Sequence, residues 1–316
     1  VKVNPSTVME KLGMQQTGMA MGTDCFTELL DNQELNDSQY DVVAGNWPQN
    51  YNEVVLIVDE NNKISDYTLY TLGIKDQKEL EEKMDAIQND EKLAEDEQTS
   101  YTYDDLLKLS FKVLLNTDYY EKANNMWIDK SDDEEYMKEK VDNAEEIKVV
   151  GIIKQKEGSI STQTAGEIGY LKTLKEHVIN KINEQEIVKE QKENPEINVF
   201  NGLEFPKKGE NGKFDYNSLT EEQRAMLSRL DASQIQLMME AYEQNENASY
   251  DKNLETLGVV DLAKPSAISI YPKDFEAKNR ITDAITEYNN KQIADGKEEN
   301  EVNYTDTVGL LMTSVT

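Results

Sequence analysis

Apolar residues in this chain fall into short runs separated by long charged stretches, and their spacing defines the elements. Tyr40, Val42, Val43 and Ala44 predict a strand over 40–44 that ends in the loop Gly45-Asn46-Trp47-Pro48, where Gly and Pro punctuate the chain. The continuous β-branched run 53–58 predicts a buried strand, because a run apolar on both faces needs cover on both faces. A short helix is expected over 66–72, stopped by Gly73. Residues 76–97 keep an apolar stripe at Leu80, Met84 and Ile87 within a charged background, the signature of a surface helix with one docked face. A helix end over 106–110 leads into a strand at Phe111–Leu115, and a long acidic excursion over 131–142 leads into a strand over 146–154. These two strands are expected to pair antiparallel. The Gly/Ser/Thr stretch 158–169 reads as a flexible loop and a domain boundary.

Helical periodicity dominates from residue 171 onward. Leu171, Leu174, Val178 and Ile182 share one face, and the helix is expected to continue toward residue 193 before Asn194-Pro195 ends it. Thr220 and Gln223 form a capping box, and Asp231 opens a second helix with Ile235, Met238, Met239 and Tyr242 turned inward. Residues 267–271 alternate as a strand, and Asp274 caps a helix whose face is Ile281, Ala284, Ile285 and Tyr288. A further strand is expected over 301–304, completing a strand–helix–strand unit. Residues 305–316 read as a helix that becomes more apolar without a stop signal, which predicts an excised domain of a longer, membrane-spanning polypeptide. Near the start, Met9, Met14, Met19 and Met21 read as adaptable core filler. The pattern as a whole predicts an α+β fold.

Composition narrows the chemistry. With 63 acidic against 33 basic residues the formal charge is −30, which disfavours nucleic acid and anionic membrane surfaces and attracts cationic partners. No run approaches the ~18 apolar residues that a transmembrane helix requires. Cys25 is the only cysteine and His177 the only histidine, so an internal disulfide and a multi-cysteine or multi-histidine metal site are excluded. Neither a nucleophile elbow nor a phosphate-cradling glycine loop accompanies them. The turn at Asp59 has Ile64 where a calcium loop needs glycine and Tyr70 where it needs glutamate, so it is not read as a calcium site. No catalytic, cofactor-binding or metal-ligating residue is expected, and no cofactor.

Three segments carry a family resemblance. Asp41-Val42-Val43-Ala44-Gly45-Asn46-Trp47-Pro48 followed by Asn52-Glu53-Val54-Val55-Leu56 resembles a pattern in the extracytoplasmic loop of FtsX/MacB-type ABC transporter permeases. Phe111–Leu115 with Ile147-Lys148-Val149-Val150-Gly151-Ile152-Ile153 resembles that loop's β-pair, and 266–289 with 304–316 resembles its return to the second membrane helix. The form is most similar to large Gram-positive permeases. The resemblance implies a porter-like part and a smaller β-rich, sabre-like part: 1–37 as the N-terminal piece of the porter-like subdomain, 38–158 as the sabre-like subdomain, and 159–316 as the rest of the porter-like subdomain with a helical insertion at about 184–261. It also implies a non-enzymatic domain on the extracellular face of the plasma membrane. That domain would transmit ATP-driven helix motion to export or gating. Its implied partners are the remainder of the permease, an ATP-binding domain or subunit, a second permease copy, and a peptide or drug substrate, with no nucleic acid. The alternative reading is a secreted or surface-anchored binding or adhesion protein.

Overall fold

The computed structural model describes residues 25–59, 61–64, 66–71, 74–76, 79, 100–123, 125–157, 167–206, 214, 216, 220–265, 268–272 and 274–306. Most of the expected helix 76–97, the methionines before residue 25, the terminal helix after Asp306 and residues 158–166 of the expected loop 158–169 lie outside them. The chain forms two compact units, Val1–Val260 and Asp261–Thr316.

The first unit begins with β1 (Phe26–Glu28), α1 (Gln33–Gln39), β2 (Tyr40–Gly45) and β3 (Glu53–Val58). It continues through α2 (Asp66–Thr71), α3 (Tyr103–Leu106), β4 (Ser110–Val113), the hairpin β5 (Tyr120–Ala123) and β6 (Met126–Asp129), and α4 (Glu134–Asn143). Then come β7 (Glu145–Gln155), β8 (Ile168–Tyr170), α5 (Lys172–Glu184), α6 (Glu186–Glu193), α7 (Glu221–Leu227), α8 (Ala232–Asn245) and α9 (Tyr250–Thr256). Helices and a mixed sheet share one core, so the fold is α+β.

The sheet runs β1-β8-β3-β7-β2, with β4 also paired to β7. The eleven-residue β7 is its axis. β3 lies parallel along one side of it, while β2 and β4 run antiparallel end to end along the other, at 151–155 and 145–148. The expected antiparallel pairing of these two strands is present, with Phe111 opposite Ile147.

β3 shows why a continuous apolar run predicts a central strand. Val54, Leu56 and Val58 face a cluster that includes Leu174, Val178 and Ile182 of α5 and Ile187 and Val188 of α6. Val55 and Ile57 face the opposite side, with Leu29, Tyr40 and Ile153. Fully burying each such side chain is worth roughly 1.5–3 kcal/mol, so this strand anchors the unit.

Several expectations are corrected. Ile168–Tyr170, expected in a loop, is β8, wedged between β1 and β3. The expected boundary at 158/159 therefore runs through one sheet, and the compact units divide at 260/261 instead. The expected insertion 184–261 contributes Ile187, Val188, Val199 and Leu257 to the main core, so it is built into the unit. The long helix breaks at Gln185, whose extended backbone (ψ 144°) separates α5 from α6. Finally, Ile235 and Met239 of α8 are exposed, while Met238 and Tyr242 are half-buried. The Asp231 cap is present, with Gln234 reciprocating as in a capping box; the Gln223 side chain lies outside the described residues.

The second unit is built on α10 (Phe275–Ala294), capped by Asp274 as the sequence predicts. Gly296, at φ +68°, ends it: its N–H reaches the Ile293 carbonyl and that of Lys297 the Gln292 carbonyl, a Schellman arrangement. The strands expected around 268–271 and 301–304 are not formed among the described residues. Alternating apolar residues make a strand only when a neighbour accepts the ladder. Here the Asn289 side-chain amide takes both the N–H and the carbonyl of Val302 (2.8 and 3.0 Å), and Lys278 pairs with Asp306 at 2.5 Å. The return segment is tied to the helix by side chains.

Candidate functional site

The motif glycines meet. Gly45 of β2 and Gly151 of β7 are register partners. A Cβ on Gly45 would sit 2.1 Å from the Val150 carbonyl oxygen, and one on Gly151 would sit 2.1 Å from the Asn46 carbonyl oxygen. Gly45 also has φ +67°, a conformation that disfavours a side chain. The Asn46 N–H closes the contact on the Val150 carbonyl at 2.9 Å. Two signatures that lie about a hundred residues apart in the sequence are thus two halves of one backbone crossing.

The loop leaving this crossing is clamped by a carboxylate. Glu53 accepts the backbone N–H groups of Gln49 and Asn50 (2.7 and 3.0 Å) and the Asn50 side-chain amide (2.8 Å). These bonds, with the Gln49 N–H foremost, hold its pKa below the usual carboxylate value. Trp47 packs on the core face of Tyr40 and Ile57. Further along, Tyr51 stacks on the His177 ring of α5, with centroids 4.0 Å apart.

His177 in turn meets Glu145 at the start of β7 (Nε2 to Oε2 2.6 Å), and Lys181 reaches the other oxygen at 3.0 Å. Burial raises the Glu145 pKa, but the hydrogen bonds and charges of Lys181 and His177 outweigh it, so the net displacement is downward. The hydrogen bond to Glu145 in turn pushes the Lys181 pKa upward. The only histidine is therefore a strut between a loop, a strand and a helix. Its partners, a carboxylate and a phenol ring, include no acyl-transfer nucleophile. Cys25 is buried, and no group of three or more His, Cys, Asp or Glu among the described residues is placed to hold a metal.

A shallow concavity lies on the β5–β6 hairpin and α4. It is a cleft of about 340 Å³ lined by Tyr120, Glu121, Lys122, Trp127, Tyr136, Glu139 and Lys140. The Trp127 indole N–H donates to Glu190 Oε2 at 2.7 Å, and the Tyr136 hydroxyl donates to the Tyr120 carbonyl at 2.8 Å. Lys122 is bound by Glu186 and Glu190 of α6, which raise its pKa. Sequence reasoning missed this site. Two four-residue strands joined by a tight turn at Asn125 (φ +62°) carry too few residues for a period to register. The aromatic spacing Tyr120, Trp127, Tyr136 was the only available signal.

Gln191 of α6 belongs to a buried amide network. Gln191, Asn198, Asn245 and Asn253 are each at most 5% exposed. Asn253 donates to both Gln191 Oε1 and Asn198 Oδ1 at 2.8 Å, and Asn198 donates to Asn245 at 2.9 Å. Gln191 donates to the Ile197 carbonyl (2.8 Å) and Asn245 to the Glu204 carbonyl (2.8 Å). α6, α8, α9 and the loop 194–205 are thereby locked in one arrangement. Comparison with protein-family models, curated proteins and solved structures finds no match to this chain.

Proposed function

We propose that this chain is the non-catalytic extracytoplasmic domain of an FtsX/MacB-like ABC transporter permease, carrying ATP-driven motion of membrane helices to export or gating outside the membrane. The observation that carries this reading is the Gly45–Gly151 crossing. Two of the three segments on which the resemblance rests, 41–56 and the pair 111–115 with 147–153, are adjacent strands of one sheet along β7; the third, 266–289 with 304–316, falls in the second unit, where the expected strands are not formed among the described residues. A domain that transmits motion must also be stiff, and β7, paired along both sides and locked to α5 through Glu145, His177 and Lys181, supplies such a bar. The net charge of −30 favours a cationic peptide among the cargoes of the family.

No helix among the described residues is long and apolar enough to cross a membrane, so the reading requires spans elsewhere in the polypeptide. The test is placement in intact cells. Ser131 is exposed beside α4, and the native Cys25 is buried, so Ser131→Cys gives a clean label site. In cells producing the full native polypeptide, a membrane-impermeant maleimide should label this cysteine before lysis, on a protein that stays in the membrane fraction. Labelling only after lysis contradicts the proposal. Recovery as a free protein in the medium supports the binding or adhesion alternative.

A further inference from the structure

We propose that Asn201-Gly202 is a site of covalent modification: the Asn201 carboxamide closes on the Gly202 nitrogen, the buried amide network gates the reaction, and the resulting isoaspartate or aspartate releases α8. The inference does not depend on the permease reading, because it rests on the chemistry of the loop 194–205 alone.

This loop is a small hairpin at a junction. Its sides are joined by the Ile197–Glu204 bridge and by a bond from the Asn198 N–H to the Leu203 carbonyl at 2.8 Å. Its tip is tied to three elements. The Val199 carbonyl accepts the Trp127 N–H of β6 at 2.9 Å, and Asn198 Oδ1 accepts the Asn253 amide of α9 at 2.8 Å. Asn201 Nδ2 donates to α8, at the Ala241 carbonyl (3.2 Å) and Asn245 Oδ1 (3.4 Å).

An asparagine followed by glycine is open to ring closure because glycine has no Cβ to shield its nitrogen. Space is free at Gly202 as well: an added Cβ would meet nothing nearer than the Met126 side chain at 3.8 Å. Hydrogen bonds supply the restraint. The Gly202 N–H donates to the Asn198 carbonyl at 2.7 Å, Asn201 Oδ1 accepts the Leu203 N–H at 3.1 Å, and Nδ2 is held on α8. The half-buried carboxamide turns toward the glycine nitrogen only when these bonds open, and Asn198 is itself fixed by Asn245 and Asn253.

On opening, the bond from Gly202 N to Asn201 Cγ forms and the Cγ–Nδ2 bond breaks. Nδ2 leaves as ammonia, taking the Gly202 amide proton. Water then opens the imide ring at either carbonyl. Aspartate sets a carboxylate oxygen, which cannot donate, against the Ala241 carbonyl and Asn245 Oδ1. Isoaspartate also inserts a main-chain carbon at the hairpin tip and shifts the register of its two sides. Either product detaches the loop from α8.

The test uses the purified chain with Asn211→Gln, so that the second Asn-Gly pair does not contribute. After incubation in mildly alkaline buffer, the peptide carrying Asn201 is followed by mass spectrometry for exchange of ammonia for water and for isoaspartate. Conversion should be at least tenfold slower in the native chain than in guanidinium chloride. Asn253→Ala should accelerate it several-fold in the folded chain and leave the denatured rate unchanged. In the converted chain, α8 amides should exchange hydrogen several-fold faster while those of β3 and β7 stay as they were. The proposal is overturned if Asn201 converts equally fast folded and denatured, if Asn253→Ala leaves the folded rate unchanged, or if conversion leaves α8 exchange unaltered.

Discussion

Gly45 and Gly151 show how much of a fold can turn on two missing side chains. Gly151→Ala would push a Cβ into the Asn46 carbonyl and the Val55 side chain, both fixed by the central strands. Overpacking against rigid backbone costs about 3 kcal/mol, so the urea midpoint should fall by a corresponding amount with an unchanged slope. Gly296→Ala is the contrast. Gly296 has positive φ, which Gly151 does not, but nothing within 4 Å of the added methyl, so it should cost only about 1 kcal/mol. Equal effects would mean that the contacts around Gly151 relax at little cost and that the crossing does not set the requirement. Glu145 gives a pH-dependent case. Its folded-state pKa is depressed, so its contribution is complete above the unfolded carboxyl value near 4.3 and is lost as pH falls through the lower folded value. At 42% side-chain exposure, solvent screening keeps that contribution to about 0.5–1 kcal/mol. The stability gap between the native chain and Glu145→Gln should be present at pH 7 and close below about pH 4; a gap that stays open after the carboxylate is protonated contradicts the assignment. The sequence displayed both glycines and the histidine, but their contacts join residues far apart in the chain, and no local spacing encodes them.

At the level of elements, legibility followed length and period. β3 and β7 are long enough to declare themselves, and the α5 face at Leu174, Val178 and Ile182 is buried as its period predicts. The failures are physical. Ile168-Gly169-Tyr170 is too short and too glycine-rich to read as a strand, yet its glycine admits the Leu29 and Val55 side chains at distances a Cβ would close. The 301–304 segment alternates correctly but has its Val302 groups bound by Asn289. The α5–α6 break turns on the extended backbone of Gln185, with Lys192 donating to Asn183 across it at 2.7 Å, and the amide network that fixes α6 against α8 and α9 is polar and buried, so no apolar pattern reveals either. Asn253→Ala would leave Gln191 Oε1 and Asn198 Oδ1 each without its best donor. The expected loss is about 1–3 kcal/mol, measurable as a lowered unfolding midpoint. An unchanged midpoint would show that water replaces the amide and that the network is not a lock.

The whole molecule pairs a unit with a well-filled core and a unit in which none of the described residues 261–306 is buried. Ile268, Ile270, Phe275 and Tyr304 are all more than half exposed. Stability should be distributed accordingly. In hydrogen exchange on the isolated chain, β3 and β7 amides should be the slowest and α10 amides should exchange well before them; α10 protection equal to that of β7 would contradict this. The permease reading makes the most demanding claim at this scale, that the external domain moves with the motor. Ser269 is exposed in the second unit and can carry a single reporter cysteine. In membranes containing the full native transporter, the maleimide labelling rate of Ser269→Cys should change several-fold between nucleotide-free and ATP-hydrolysing conditions. Identical rates in both conditions, with ATP hydrolysis confirmed in the same sample, would contradict the account.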